Sequence, residues 1–284
     1  ELAFDYLREH VIPAKCDLNR SFFCLMNAVR IWGAEREAKT IARADGRLYV
    51  ETRRSEGVGA ATIRRELAIV KASLMHAVKE ERLEKCPKFS MPKAGTSRMR
   101  WLTPEEWVRL RQTPKPKRIQ RFLLIAFLTG VRSRAIEQLT WDRVDFDART
   151  IDFALKGVDH KNKRRPITPI NDELLPRLRA MYESRTDEHV IGRGAKGAVS
   201  STYPEIKKAL RSIGVDEDGV CRHVARHTFC SWRVQAGFSY AHIGKLVGDA
   251  AAMIEKTYAH LSPHHLMAAS NMDMSSLRAS PTLH

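Results

Sequence analysis

The sequence predicts a mainly α-helical protein with one small antiparallel β-sheet, and three observations carry that expectation. Apolar residues recur every three or four positions over most of the chain, the pattern of helices with one buried face. From Val144 to Ile170 the period falls to two, which is the pattern of strands joined by short turns. Between them and the N-terminal helices lies CPKFSMPKAGTSRMR, residues 86–100. This stretch is rich in Pro, Gly and Ser and poor in aliphatic residues, so it separates an all-α N-terminal domain from a mixed α+β C-terminal one.

Each element has its own local signal. In the N-terminal part DLNRSFFCLMNAVRIW and EREAKTIARA read as helices, and TIRRELAIVKASLMHAVKEE sets Ile63, Leu67, Val70, Leu74 and Ala77 on one face. Beyond the boundary, TPEE supplies Thr103 as N-cap, Pro104 at the first helical position and Glu106 as the capping-box partner. RIQRFLLIAFL is apolar almost all round and is expected to be deeply buried. LTGVRSRAIEQLTW breaks at Gly130 and resumes. The strands then follow as VDF, a turn at DART, TIDFAL, a polar tip KGVDHKNKRR and PITPI. Asn171 and Thr202 open two further helices. From HVARHTF to TYAHLSP three helical stretches are separated at Gly237 and Gly248.

Composition narrows the partner. Forty-three per cent of the 284 residues are hydrophobic, enough for real cores. The 49 Lys and Arg outnumber the 33 acids and give a formal charge of +16 and a pI near 9.9. That imbalance fits a polyanion, most simply nucleic acid, better than a neutral metabolite. Arg53, Arg54, Arg64, Arg65 and Lys71 before the boundary, and Lys163, Arg164 and Arg165 at the strand tip, are the candidate contacts. Cys16, Cys24, Cys86, Cys221 and Cys230 form an odd, scattered set without a C-x-x-C pair, which predicts reduced thiols in a cytosolic compartment. No apolar run reaches bilayer length and no signal-peptide order opens the chain, so a soluble cytoplasmic protein is expected. The opening ELAFDYL lacks an initiator Met and leaves room for upstream residues.

The chemistry concentrates in HVARHTF, residues 223–229. His223 and His227 are four apart, but H-E-x-x-H is absent and no third ligand presents itself, so no metal is expected. His227, preceding the Phe229 and Trp232 row, reads as a core histidine tied to a backbone carbonyl. Arg226 lies three residues after His223, on the same side of a helical turn. Arg132 follows the Thr-Gly break after the buried helix. Two such guanidiniums can grip the nonbridging oxygens of a phosphate. Lys161 on the hairpin adds a mobile proton donor, and Tyr258 in KTYAHLS is a candidate nucleophile on phosphorus.

These residues resemble a known family, the tyrosine recombinases or phage integrases, over nearly the whole chain. The first box, Thr-Gly-x-Arg, is TGVR with Arg132; the hairpin lysine is Lys161, ahead of Pro169 and Ile170; the second box is HVARHT with His223 and Arg226; and Gly248 precedes YAH with Tyr258. The resemblance implies a helical core-binding (SAM-like) DNA-binding domain over residues 1–88, a basic linker over 89–100, and a catalytic domain over 101–284 ending in a tail that contacts a neighbour, the two domains clamping DNA. It further implies site-specific integration or recombination without cofactor, metal or ATP. Tyr258 attacks the phosphodiester to form a 3′-phosphotyrosyl bond, Arg132 and Arg226 neutralise the pentacoordinate phosphorus, His223 assists at the nucleophile, and Lys161 protonates the leaving 5′-oxygen. His260 is expected to be structural. Partners implied are double-stranded DNA with a specific recombination site, a homotetramer on synapsed DNA built from chains that are monomeric alone, and accessory DNA-bending proteins; the setting is a prokaryote, virus or mobile element.

Two positions depart from the family. Ala135 stands where an acid is common, with Glu137 two residues further on and pointing elsewhere, and Asp249 stands where His or Trp is usual. A carboxylate facing a phosphate would be repelled by roughly 4 kcal/mol at 4 Å for an effective dielectric near 20. The alternatives are a catalytically impaired recombinase-like DNA-binding protein, of which these two departures would be the marks, and a type IB topoisomerase-like enzyme, which shares the tyrosine chemistry.

Overall fold

The computed structural model describes residues 1–93, 99–155, 157, 165–194, 199, 201–215 and 222–262. The chain divides into two units, residues 1–97 and 98–284.

The first unit is helical. A short α1 (Leu2–Tyr6) continues into a π-helical turn at Leu7–Val11, followed by α2 (Leu18–Trp32), α3 (Arg43–Ser55) and α4 (Ala60–Lys79). Asp17 caps α2 by accepting from Arg20 N at 3.0 Å. The apolar stripe foreseen on α4 is the buried one: Ile63, Leu67, Val70, Leu74 and Ala77 all face the core. EREAKTIARA, in contrast, holds a single 3₁₀ turn at Ala38–Thr40 and only the first two residues of α3. Its apparent helix yields to a cap, because the Asp45 carboxylate accepts from Ala42 N at 2.8 Å and pairs with Arg36, starting the helix at Arg43 instead. The segment expected as linker from residue 89 contributes to this unit. Phe89 and Met91 pack on the core of this unit, and Gly46 lies so close to Ser90 that a Cβ there would stand 2.4 Å from its backbone nitrogen.

The second unit is built around α6 (Lys117–Thr129), whose Phe122, Ile125, Ala126 and Phe127 are buried as its all-round apolarity requires. It is preceded by α5 (Pro104–Gln112), which begins with the Thr103–Glu106 capping box. After α7 (Ser133–Glu137) come strands β1 (Val144–Asp145), β2 (Thr150–Asp152) and β3 (Ile167–Pro169) in one antiparallel sheet of that order, with Val144 opposite Ile151 and Ile151 opposite Thr168. The DART turn is held by the Asp145 carboxylate, which accepts from the backbone of Asp147 and Ala148. Helices α8 (Leu174–Glu183) and α9 (Tyr203–Arg211) follow. Asn171 caps α8 through Leu174 N. Thr202 stands at the start of α9, but its hydroxyl donates to Glu137 rather than capping.

The last helices, α10 (Val224–Gln235), α11 (Tyr240–Val247) and α12 (Ala251–Tyr258), turn at Gly237 and Gly248 as the sequence predicts. Their own small core joins Phe229, Val234, Ile243, Val247 and Ile254 to Tyr258. Thr168 Oγ1 donates to Leu246 O at 3.1 Å, fixing α11 to the sheet edge.

Candidate active site

Three chain breaks converge on one pocket. Gly130 ends α6 in the left-handed region, at φ 65°, and turns the chain so that Arg132 becomes the N-cap of α7. A Cβ at Gly130 would lie 2.4 Å from Phe229 Cδ1 and 2.9 Å from Val247 Cγ1, so α6, α10 and α11 meet where only glycine fits. Gly248 ends α11 in the same conformation, with the backbone N–H groups of Gly248 and Asp249 both donating to Gly244 O at 2.9 Å. This cap brings Asp249 alongside Arg132. His223 is the N-cap of α10, and Arg226 and His227 follow within its first turns.

The resulting pocket, about 170 Å³, is lined by Arg132, His223, Arg226, His227, Asp249, Met253, Ile254, Thr257 and Tyr258. All but one of the catalytic candidates are therefore gathered. The exception, Lys161, lies outside the described residues, as do Lys163, Arg164 and the tail from residue 263.

The two guanidiniums are fixed by backbone carbonyls. Arg226, 7% exposed, donates from Nη1 to Gly130 O at 3.1 Å and Val247 O at 2.6 Å. Arg132 Nη1 donates to Gly248 O at 3.2 Å. Between them sits the Asp249 carboxylate, whose Oδ1 accepts from Arg132 Nη2 at 2.5 Å while Oδ2 accepts from Arg226 Nη2. Asp249 thus bridges the pair, one oxygen to each fork, in the way a phosphate would.

Tyr258, the last residue of α12, is 3% exposed. Its hydroxyl makes a 2.8 Å hydrogen bond with Nδ1 of His227 and a second with the Cys230 thiol. Burial pushes the tyrosine hydroxyl well above its ordinary range, and Cys230 adds to that. Burial likewise drives the thiol up to about 11. His227 is driven the other way, down to about 4, by burial first and then by its neighbours His223 and Arg226. At neutral pH the three groups are a phenol, a thiol and a neutral imidazole. His227 is therefore not the carbonyl-tied core histidine that its apolar neighbours suggested. His260 lies exposed in the 3₁₀ turn Ala259–Leu261, directly after the tyrosine.

The site has a buried support. Ala135 is enclosed in the core, and Glu137, 1% exposed, faces Thr202, accepting at Oε1 from its backbone N–H at 2.8 Å and its hydroxyl at 3.0 Å. Its other oxygen lies 3.7 Å from Arg134 and 3.8 Å from Arg222, the residue preceding His223. Ser133 Oγ donates to Arg222 O at 2.7 Å, so α7 is tied directly to the start of α10.

The basic candidates separate. Arg54, Arg64, Arg65 and Lys71 are exposed, with Arg64 donating to Pro92 O at 2.8 Å. Arg53 is committed internally: Nε and Nη2 donate to the buried Glu66 at 2.9 and 2.8 Å, Nη1 pairs with Glu56, and Tyr49 also donates to Glu66. Arg165 donates to Gln138 Oε1 at 2.6 Å and Phe153 O at 3.3 Å and is partly buried. Cys16, Cys24, Cys86 and Cys230 carry free thiols. Among the described residues no cluster of His, Cys, Asp and Glu could hold a metal ion, and no helix is long and apolar enough to cross a membrane.

Comparison with known proteins places this geometry. The integrase of Salmonella phage P22 is 26% identical over 220 residues, covering 72% of this chain and 55% of that protein; the chain thus spans about half the length of that relative. Tyrosine recombinase XerC of Xanthomonas axonopodis pv. citri (strain 306) is 24% identical over 231 residues, covering 78% of this chain and 74% of that protein. Among solved structures, the integrase of transposon Tn1549 in complex with transposon right end DNA has the same fold, with a TM-score of 0.72 at 19% identity over 98% of both chains. A lambda integrase dimer bound to a COC′ core site gives 0.70 at 14% identity over 90% of this chain and 75% of that one. The phage integrase family model matches residues 100–265, the segment that carries the paired arginines and Tyr258, and the chain belongs to that family, the tyrosine recombinases.

Proposed function

We propose that this chain is a site-specific DNA recombinase that cuts and rejoins duplex DNA through Tyr258. The observation that carries the reading is the pocket itself: two fixed arginines converge on one carboxylate beside a buried tyrosine hydroxyl. A phosphodiester entering there meets the charge and fork geometry that stabilise a pentacoordinate phosphorus. Tyr258 attacks, a 3′-phosphotyrosyl bond forms and the 5′-oxygen leaves, with Lys161 as its acid and His223 assisting in the pocket. Bond energy is kept in the covalent link, so the later attack by a 5′-hydroxyl needs no ATP. By similarity to integrases solved with transposon end and core site DNA, the partner is a duplex carrying a recombination site. Residues 1–88 act as the core-binding domain, and recombination proceeds in a homotetramer on synapsed DNA in the cytoplasm.

A restrained activity is favoured by one specific feature. Asp249 occupies the arginine pair, so the scissile phosphate competes with an internal anion, and Ala135 leaves the first box without its usual acid.

Covalent trapping on nicked suicide duplexes from the junctions of the encoding element tests the reading. A denaturation-resistant protein–DNA adduct is expected with the natural chain and is lost in Tyr258→Phe. An adduct that persists in Tyr258→Phe removes Tyr258 as nucleophile. Relaxation of unrelated plasmid by the chain alone would replace the reading with a topoisomerase of the type IB kind.

A further inference from the structure

Resting on that reading, we propose that His227 is a catalytic residue, the acceptor of the Tyr258 hydroxyl proton during strand cleavage. The contact is direct: Nδ1 and the hydroxyl oxygen are 2.8 Å apart, within the reach a general base requires. In this assignment the tyrosine hydroxyl donates to Nδ1, and the neutral imidazole carries its own proton on Nε2.

His223 lines the same pocket from one helical turn earlier, its ring edge-on to His227 with centroids 6.4 Å apart. The imidazole in contact with the nucleophile is His227, and its surroundings keep it neutral and ready to accept.

The step balances. As the bond from Tyr258 oxygen to phosphorus forms and the bond from phosphorus to the 5′-oxygen breaks, the tyrosine proton moves to His227 Nδ1. The departing 5′-oxygen takes its proton from the acid assigned to Lys161. In rejoining, the imidazolium returns its proton to the tyrosine oxygen. The phosphate's negative charge, arriving beside an imidazole lowered by burial and then by His223 and Arg226, stabilises the imidazolium at the moment it forms.

Two measurements test this. His227→Asn keeps an acceptor oxygen near the Nδ1 position but no base. On the same suicide duplexes it is expected to lower the rate of adduct formation by about 10²-fold or more, with DNA affinity within about threefold of the natural chain and with imidazole restoring part of the rate to His227→Ala. A rate for His227→Asn within threefold of the natural chain overturns the proposal. Nitrogen-15 NMR of histidine-labelled protein without DNA gives a second arm that needs no variant to fold: Nδ1 of His227 is expected to be unprotonated, and a protonated Nδ1 overturns the assignment. Adduct formation that is absent in the natural chain, or indifferent to Tyr258→Phe, instead removes the recombinase reading beneath it.

Discussion

Asp249 and Glu137 show how much a carboxylate's surroundings decide its part. Glu137 has exchanged water for two hydrogen bonds from Thr202 and the proximity of Arg134 and Arg222, and it braces α7 against the segment that carries His223. Asp249 sits partly open between the two arginines that would hold the substrate. It stabilises both guanidiniums, and on the proposed reading a bound phosphate would have to share them with it. Two anions at about 4 Å repel by roughly 4 kcal/mol for an effective dielectric near 20, an upper bound on what removing the charge can return. Asp249→His, and Asp249→Asn as the closer isostere, are therefore expected to raise the rate of adduct formation at least tenfold and to tighten DNA binding, measured by single-turnover trapping and by titration. A fall in rate with both variants would mean that the carboxylate's service in aligning Arg132 and Arg226 outweighs its repulsion.

At the scale of elements, the site depends on how α6 ends. Gly130 combines a positive φ, a contact with Phe229 and Val247 that leaves no room for a methyl group, and a carbonyl that accepts from Arg226. Gly130→Ala must strain the backbone and overpack the junction, together costing about 2–4 kcal/mol, and it displaces Arg132 two residues later. A lower melting temperature and a large loss of adduct formation are expected together; a variant as stable and active as the natural chain would show that the junction tolerates side chains. The break at Gly130 was legible in the sequence, as were the Thr103–Glu106 box, the stripe on α4 and the strand period, because each is written in neighbouring residues. What was not legible depends on partners far along the chain. Asp249 meets Arg132 across 117 positions, and only the cap at Gly248 aims it there. His227 was misread because its apolar neighbours were visible and Tyr258, 31 positions away, was not. EREAKTIARA had helical periodicity, but Asp45 capped the following segment, and local hydrogen bonding overrode the pattern.

For the whole molecule, the +16 charge becomes a binding property only through the cations that remain available to phosphates. Arg54, Arg65 and Lys71 are exposed, whereas Arg53 spends its guanidinium on Glu66 and Glu56. Each phosphate neutralised releases condensed counterion, so the logarithm of the binding constant falls linearly with the logarithm of salt, by about 0.9 per contact. If the chain engages six to ten phosphates, affinity drops by about 10³–10⁵ between 50 and 200 mM salt. Fluorescence anisotropy across a salt series measures that slope. Arg65→Ala and Lys71→Ala are each expected to make it shallower by about one with folding intact. Arg53→Ala is expected to leave the slope nearly unchanged and to lower stability instead, because Glu66 loses its partner in a buried setting. A slope equivalent to fewer than about three contacts would disconnect the basic surface from duplex binding, and a shallower slope in Arg53→Ala with unchanged stability would move that arginine from the interior of the first unit to its DNA-facing side.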